Sequence, residues 1–377
     1  MKGSIYQRKG SGPWYLSIDV GMEPDENGKL KRVRHQWTFQ TKREAEETRI
    51  AKLAELQQGT YSGPSKKRVA EWLDEWLATK VNLASTTRAG YVRDIKRINK
   101  VLGPRKLVDL TPTMINRFYV QLSETLGAKT IQNTHGVLYS ALRAAVDRDV
   151  ITRNPAARGI ELPKVERPEI EVWTLDELKA FLQHAASHQL YPAIVLTISS
   201  GLRRSETLGL RWQNVDLEVG TANIRDTLVP VDGSVEHRID VTKSKKSRRV
   251  IALDEQTVAV LRAHRKHQAI KKMASPIWHD LDLVFTNEIG QPIRPTTFSR
   301  TWKRLATEAD VTPLTPHPAA RHGWASLALQ NGIPIKVVQE QLGHASLGIT
   351  SDIYSHVSED LARDAVEKVM AAVWLQK

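Results

Sequence analysis

Val69, Trp72, Leu73, Trp76 and Leu77 recur at i, i+3, i+4, i+7 and i+8, a spacing that predicts a helix with one apolar face. Upstream the period is different. Within residues 1–64 the stretches "GSIYQR", "WYLSIDV" and "RVRHQWTF" alternate apolar with polar or basic positions, as half-buried strands do, and turn chemistry separates them at residues 10–13 and at "PDENG". Thr41 and Glu44 then have capping-box spacing and predict a helix to about Gln58. The expected unit is a three-stranded sheet backed by one helix.

Residues 65–158 are expected to be all helical. Three more helices follow the first, one around residues 91–102, one opened by Thr111 and Pro112 as N-cap and first helical residue, and one from Thr130 through Leu138, Leu142 and Val146. Arg93, Lys96, Arg97 and Lys129 lie among the basic residues between the apolar faces, giving this unit a basic side. Residues 159–172 carry two prolines and few apolar pairs and are expected to be a linker. From 173 to 377 the pattern is again mainly helical, opened by a capping box at Thr174 and Glu177. Strand-like pieces interrupt it at "TANIRDTL", "HRIDVTK" and "RRVIAL", with a hairpin expected between the last two and the basic "SKKS" at its tip. The expected fold class is therefore mainly α and multidomain: a small β-sheet-plus-helix domain, an all-α domain, and a mixed, mainly-α domain with a small β-hairpin sheet.

Charge changes the picture. A net charge of +13 and a pI near 9.7 favour an anionic partner, since such a surface attracts phosphate in a salt-dependent way. A two- or three-stranded ribbon can enter a DNA major groove, and Arg8, Arg32 and Arg34 on the first unit's strands could reach phosphates or base edges; a merely solvated basic face has the same composition. The chain has no cysteine, which removes disulfides, thiolate metal sites and cysteine nucleophiles together. The start "MKGSIYQRKG" lacks a signal peptide's apolar run, and no stretch has the roughly 18 apolar residues of a membrane span, so a soluble cytoplasmic protein is expected.

The third segment carries the chemistry. Gly201 is placed to end one helix, with Arg203 at the start of the next and Glu206 one turn on. Lys243 falls near the tip of the expected hairpin, with Lys245 and Lys246 as neighbouring alternatives. His317 and Arg321 stand four apart at a helix start, expected to face one way. His344 follows, and Tyr354 ten residues later. Alone, each stretch reads as surface charge or packing. Together, two arginines, a lysine, two histidines and a tyrosine, without an acidic pair, make a poor metal site and a good one for attack on a phosphodiester. A tyrosine with pKa of about 10 is a weak nucleophile that neighbouring cations and a histidine can activate. Arginines address the charge on the transition state's non-bridging oxygens, and a lysine on a turn can protonate the departing 5′-oxygen.

In this order, "SGLRRSE", "TKS" with "RRVIAL", "RHGWASLAL", "VVQEQLGH" and "ITSDIYSHV" strongly resemble the tyrosine recombinase, or phage integrase, family. The resemblance implies that Arg203 and Arg321 clamp the phosphate, Lys243 is the general acid, His317 pairs with the second arginine, His344 donates to a phosphate oxygen, Tyr354 is the nucleophile and Glu206 supports Arg203. The family usually places its histidine three residues before the second arginine. Here that position is Pro318, so His317 would act from four before, with His322 as an alternative. By a weaker resemblance, residues 1–64 look like the arm-site-binding domain of phage-type integrases and residues 65–158 like their core-binding domain.

The implied activity is DNA strand exchange through a 3′-phosphotyrosyl intermediate without metal or nucleotide cofactor. The implied partners are double-stranded DNA attachment sites and three further copies of the chain on synapsed DNA, with monomers or weak oligomers when free. Accessory DNA-bending and directionality proteins are further expected partners. A tail after Tyr354, apolar along Leu361, Ala365, Val366, Val369 and Val373, is expected to dock on a neighbouring protomer or on its own domain. Two other readings stay open: a type IB topoisomerase, and a DNA-binding regulator in which Tyr354 is inert.

Overall fold

The computed structural model describes residues 3–7, 12–24, 30–57, 67–166, 171–230, 237–241 and 248–344. Arg8, Lys243, Lys245, Lys246, Tyr354 and the C-terminal tail lie outside the described residues. The chain divides into two compact units between Glu166 and Arg167.

The first unit opens with an antiparallel sheet of β1 (Gly3–Gln7), β2 (Trp14–Pro24) and β3 (Leu30–Phe39), followed by α1 (Lys42–Gln57). Alternation sorts its residues: Leu16 and Ile18 are fully buried, while Arg32, Arg34 and Gln36 on β3 are exposed. The Thr41 backbone N–H donates to Glu44 Oε2 and the Glu44 N–H to Thr41 Oγ1, closing the expected capping box. Four helices follow: α2 (Val69–Ala78), α3 (Ser85–Val101), α4 (Pro112–Ser123) and α5 (Ala128–Asp147). The five apolar residues of α2 are all buried, and Trp72 Nε1 donates to Ala141 O at 2.8 Å, so the tryptophans are core. Thr111 caps α4 by accepting from the Met114 N–H. Helix α3 begins at Ser85, six residues before the sequence pattern marks it, because the polar "STTR" turn carries no apolar signal of its own. After α5 the chain stays tied down: Asn116 Nδ2 donates to Gly159 O and Gln132 Nε2 to Pro163 O.

The second unit contains α6 (Leu175–Ala185), α7 (Tyr191–Ser200), α8 (Arg204–Gly209), β4 (Val215–Asp216), β5 (Thr221–Ile224), β6 (Asp226–Pro230), β7 (His237–Val241), β8 (Arg249–Ala252), α9 (Glu255–Ala274), α10 (Pro295–Glu308), α11 (Gly323–Gln330) and α12 (Ile335–Leu342). Its core gathers Trp173, Phe181, Phe298 and Trp302, with the Trp173 and Trp302 rings stacked at 5.8 Å. Thr174 and Glu177 form the expected capping box. The sheet pairing differs from expectation. β7 pairs with β6, and β8 pairs with β5 in a three-stranded sheet β4-β5-β8, so "HRIDV" and "RVIA" are not the two arms of one hairpin. Ala222 and Ile224 of β5 and Ile251 of β8 are buried, and burying these faces together outweighs the short connection that would have favoured a local hairpin.

The fold is thus mainly helical with small antiparallel sheets. Among the described residues no helix is long and apolar enough to cross a membrane.

Candidate active site

Gly201 ends α7 with φ 62°, and a Cβ there would stand 2.6 Å from Leu342 Cδ2, so only glycine fits both the backbone and the space. The sharp exit sets Arg203 at the N-cap of α8, where its guanidinium meets Glu206 three residues on, Nη1 to Oε1 at 2.7 Å. Glu206 is buried at 3% exposure and its second oxygen accepts from the Arg203 backbone N–H at 3.1 Å. Burial alone would push this carboxyl up, but Arg249 and Arg203 outweigh it and hold it below the usual carboxylate range.

Arg249 comes from β8, where strand alternation turns its side chain inward. Its Nη2 donates to Glu206 Oε2 at 3.0 Å and its Nε to Gln341 O at 2.6 Å. Arg321 comes from a π-helical turn, residues His317–His322. Its Nη1 donates to Gly201 O at 2.9 Å and its Nη2 to Leu342 O at 2.6 Å. Arg203 Nη2 reaches Gly343 O at 3.3 Å. Three arginines from three elements therefore take the successive carbonyls of Gln341, Leu342 and Gly343 at the C-terminal end of α12. A helix end leaves these acceptors unsatisfied and carries partial negative charge, which cations satisfy. Gly343 at φ 64° then turns the chain into His344.

Arg321 is 1% exposed, and among the described residues no carboxylate pairs with it. Burial and the nearby Arg203 lower it from 12.5 to about 9, so it remains a cation at neutral pH. Three guanidinium charges against the one Glu206 carboxylate leave the cluster at +2. Buried charges are paired or they await a ligand; this one is built for an anion. His344 is 5% exposed, and desolvation followed by the charges of Arg321 and Arg203 pushes it down to about 3. Desolvation, then His322, Arg321 and Arg203, push His317 down to about 4. Both histidines are neutral at pH 7, so each ring has one N–H donor and one acceptor nitrogen.

Arg203, Glu206, Arg321 and His344 are thus brought together. His317 lies four residues before Arg321 in the same π turn, and the charges of Arg321 and Arg203 both bear on it. Pro316 and Pro318 flank it in the π turn, and its ring stands edge to face against His322 at 4.4 Å. Arg249 was not singled out from the sequence. The signal was present in "RRVIAL", where the second arginine has the inward parity of Ile251. In the first unit Arg34, Arg93, Lys96 and Lys129 are exposed, Arg32 is paired with Asp19 at 2.8 Å, and Arg97 is paired with the buried Asp94. A separate cavity of about 650 Å³, lined by His188, His264, His267 and Arg304 among others, contains none of the arginine cluster. Among the described residues no group of three or more His, Asp or Glu could hold a metal ion.

The sequence profile of the phage integrase family matches residues 171–360, half of the 377-residue chain, and this span holds every member of the cluster. The chain belongs to the phage integrase family. A tyrosine recombinase XerC-like protein of Caldanaerobacter subterraneus subsp. tengcongensis is 27% identical over 95% of this chain and 96% of its own length. Among solved structures, the Tn1549 transposon integrase with transposon right end DNA is similar at a TM-score of 0.71 and 22% identity, covering 81% of this chain and 100% of its own. A lambda integrase tetramer bound to a Holliday junction follows at a TM-score of 0.57 and 20% identity, covering 91% and 95%. At these identities the structural likeness establishes the fold. The XerC-like relative matches over nearly its whole length, so an N-terminal segment of this size is not confined to proteins called integrases.

Proposed function

We propose that this chain, a tyrosine site-specific recombinase of the integrase family, cleaves DNA at the phosphate bound by Arg203 and Arg321, with Tyr354 as nucleophile. The observation that carries the reading is Arg321, a buried guanidinium without a carboxylate partner among the described residues, beside the Glu206-bound Arg203 and the neutral His344. The Tyr354 hydroxyl attacks phosphorus, the bond to the 5′-oxygen breaks, and a 3′-phosphotyrosyl ester forms. Lys243 protonates the leaving 5′-oxygen to a hydroxyl, a histidine takes the tyrosine proton, and His317 and His344 hold the phosphate oxygens. The ester conserves the energy of the broken bond, so a new 5′-hydroxyl can reverse the step and exchange strands.

The DNA complexes of the neighbouring integrases support duplex DNA as the partner, and the lambda tetramer supports four protomers on two synapsed sites. In the same reading residues 1–64 bind arm sequences through Arg8, Arg32 and Arg34, and residues 65–158 bind core DNA through Arg93, Lys96 and Lys129. Residues 159–172 link them to the catalytic domain, residues 173–377. Accessory bending and directionality proteins would act on the same DNA.

The test is covalent capture. Full-length protein is incubated with a randomised library of nicked duplexes, and SDS-resistant adducts are recovered and sequenced. Adducts converging on one sequence class are expected, and two such duplexes should be joined into recombinants, which separates strand exchange from relaxation. Tyr354→Phe should bind the selected duplex with near-unchanged affinity and form no adduct. Arg203→Ala and Arg321→Ala should each slow adduct formation by roughly 10² to 10³-fold, the cost of one transition-state donor. An adduct from the Phe variant moves the nucleophile elsewhere, with Tyr191 the alternative. No adduct from the wild type returns the DNA-binding regulator.

A further inference from the structure

The structure assigns Arg249 as a positioning residue of the recombination site, acting through Glu206 and through the end of α12. The inference rests on the reading of Arg203, Arg321, His344 and Tyr354 just given. Arg249 differs from the other two arginines in where its donors go. Nε is held by Gln341 O at 2.6 Å, Nη2 by Glu206 Oε2 at 3.0 Å and Nη1 by Glu206 Oε1 at 3.4 Å, so all three nitrogens meet protein acceptors. Its side chain is 7% exposed, against 36% for Arg203. A guanidinium so engaged and so little exposed works on its neighbours.

Two neighbours matter. The fork of Arg249 fixes both oxygens of Glu206, the same oxygens that take Arg203 Nη1 and the Arg203 backbone N–H. Glu206 shared between two cations neutralises neither fully, and Arg203 keeps charge for a phosphate. With Arg249 gone, Glu206 and Arg203 would be a one-to-one pair, and the cluster would fall from +2 to +1. The other neighbour is the backbone. Gln341 O precedes the carbonyls that orient Arg321 and Arg203, and His344 follows them directly. By bonding Gln341 O, β8 fastens the end of α12 to the sheet and sets the height at which Arg321, Arg203 and His344 stand. Arg249 thus controls both the charge and the position of groups it does not replace.

The experiment uses the full chain and a duplex selected by covalent capture, with single-turnover adduct formation followed for wild type, Arg249→Gln and Arg249→Lys. Arg249→Gln should bind the duplex within about two-fold of wild type and reach the same adduct amplitude. Its rate constant should fall between about 10- and 100-fold, the size of an ångström-scale misplacement at a reacting centre. Arg249→Lys should recover part of the rate, because a single ammonium restores the charge without the fork. Wild type that forms no adduct overturns the catalytic reading itself. Wild type that does so, with an Arg249→Gln rate constant within two-fold of it, overturns the inference alone. A loss confined to amplitude means that Arg249 only keeps molecules folded, and a loss of binding that accounts for the rate means that it touches DNA. Both outcomes also overturn it.

Discussion

Replacing Glu206 by glutamine removes one negative charge from between two cations and changes almost nothing else in volume. The carboxylate is 3% exposed and accepts at 2.7 Å from Arg203 and 3.0 Å from Arg249. With charge centres about 4 Å apart and an effective dielectric of about 20, each attraction is worth about 4 kcal/mol, or about 8 kcal/mol for the two. The carboxylate's own desolvation, several kcal/mol, offsets part of this, leaving a net loss of about 3–5 kcal/mol, the usual cost of breaking a buried pair. The glutamine amide adds to the damage, since its NH₂ faces a guanidinium donor where an acceptor stood. For a folding unit the size of residues 167–377, each kcal/mol moves Tm by about 2–4 °C. Glu206→Gln should therefore melt about 6–20 °C lower than wild type in a thermal scan of the full chain at pH 7.5. The gap should narrow in acid. A carboxylate held low in the fold contributes stability above its unfolded pKa of 4.5 and loses it as pH falls through the folded value. A variant that melts within 2 °C of wild type at pH 7.5 would refute the argument, and Glu206 would then be a spectator of the arginine cluster.

The histidines set a second acid dependence. His344 at about 3 and His317 at about 4 lie below the unfolded value of 6.5, so the unfolded chain binds more protons and stability falls as pH drops from 6.5 toward 4. For the buried His344 the slope is at most about 1.4 kcal/mol per pH unit; urea melts between pH 7.5 and 5 should show the fall, and His344→Gln should flatten it, whereas an unchanged slope would place His344 in solvent. The N-terminal segment is tested by deletion of residues 1–64, which should preserve adduct formation on a short selected duplex and abolish recombination between full sites. Wild-type recombination by the truncated chain would remove the arm-binding role, and retention of a specific DNA by the isolated segment should weaken as salt rises.

Local signals carried much of this protein. The face of α2 follows from a 3.6-residue period, and the caps at Thr41, Thr111 and Thr174 from side chains that bond backbone within three residues, so neighbours in sequence suffice to fix them. The order of Arg203, Arg321 and His344 was equally legible, because each sits at a helix boundary that glycine or proline marks. Other features depended on residues far apart in the chain. β8 pairs with β5 instead of β7, since strand partners are chosen by which faces bury together. His317 and Arg321 share a π turn, and nothing in a four-residue spacing distinguishes it from an α turn. Arg249 is the clearest case. Its partners are Glu206, 43 residues before it, and Gln341, 92 after it, and a guanidinium's role is set by which acceptors surround it. Sequence placed the charges in order, but only folding decided which of them would be paired inside the protein and which would be left without a carboxylate.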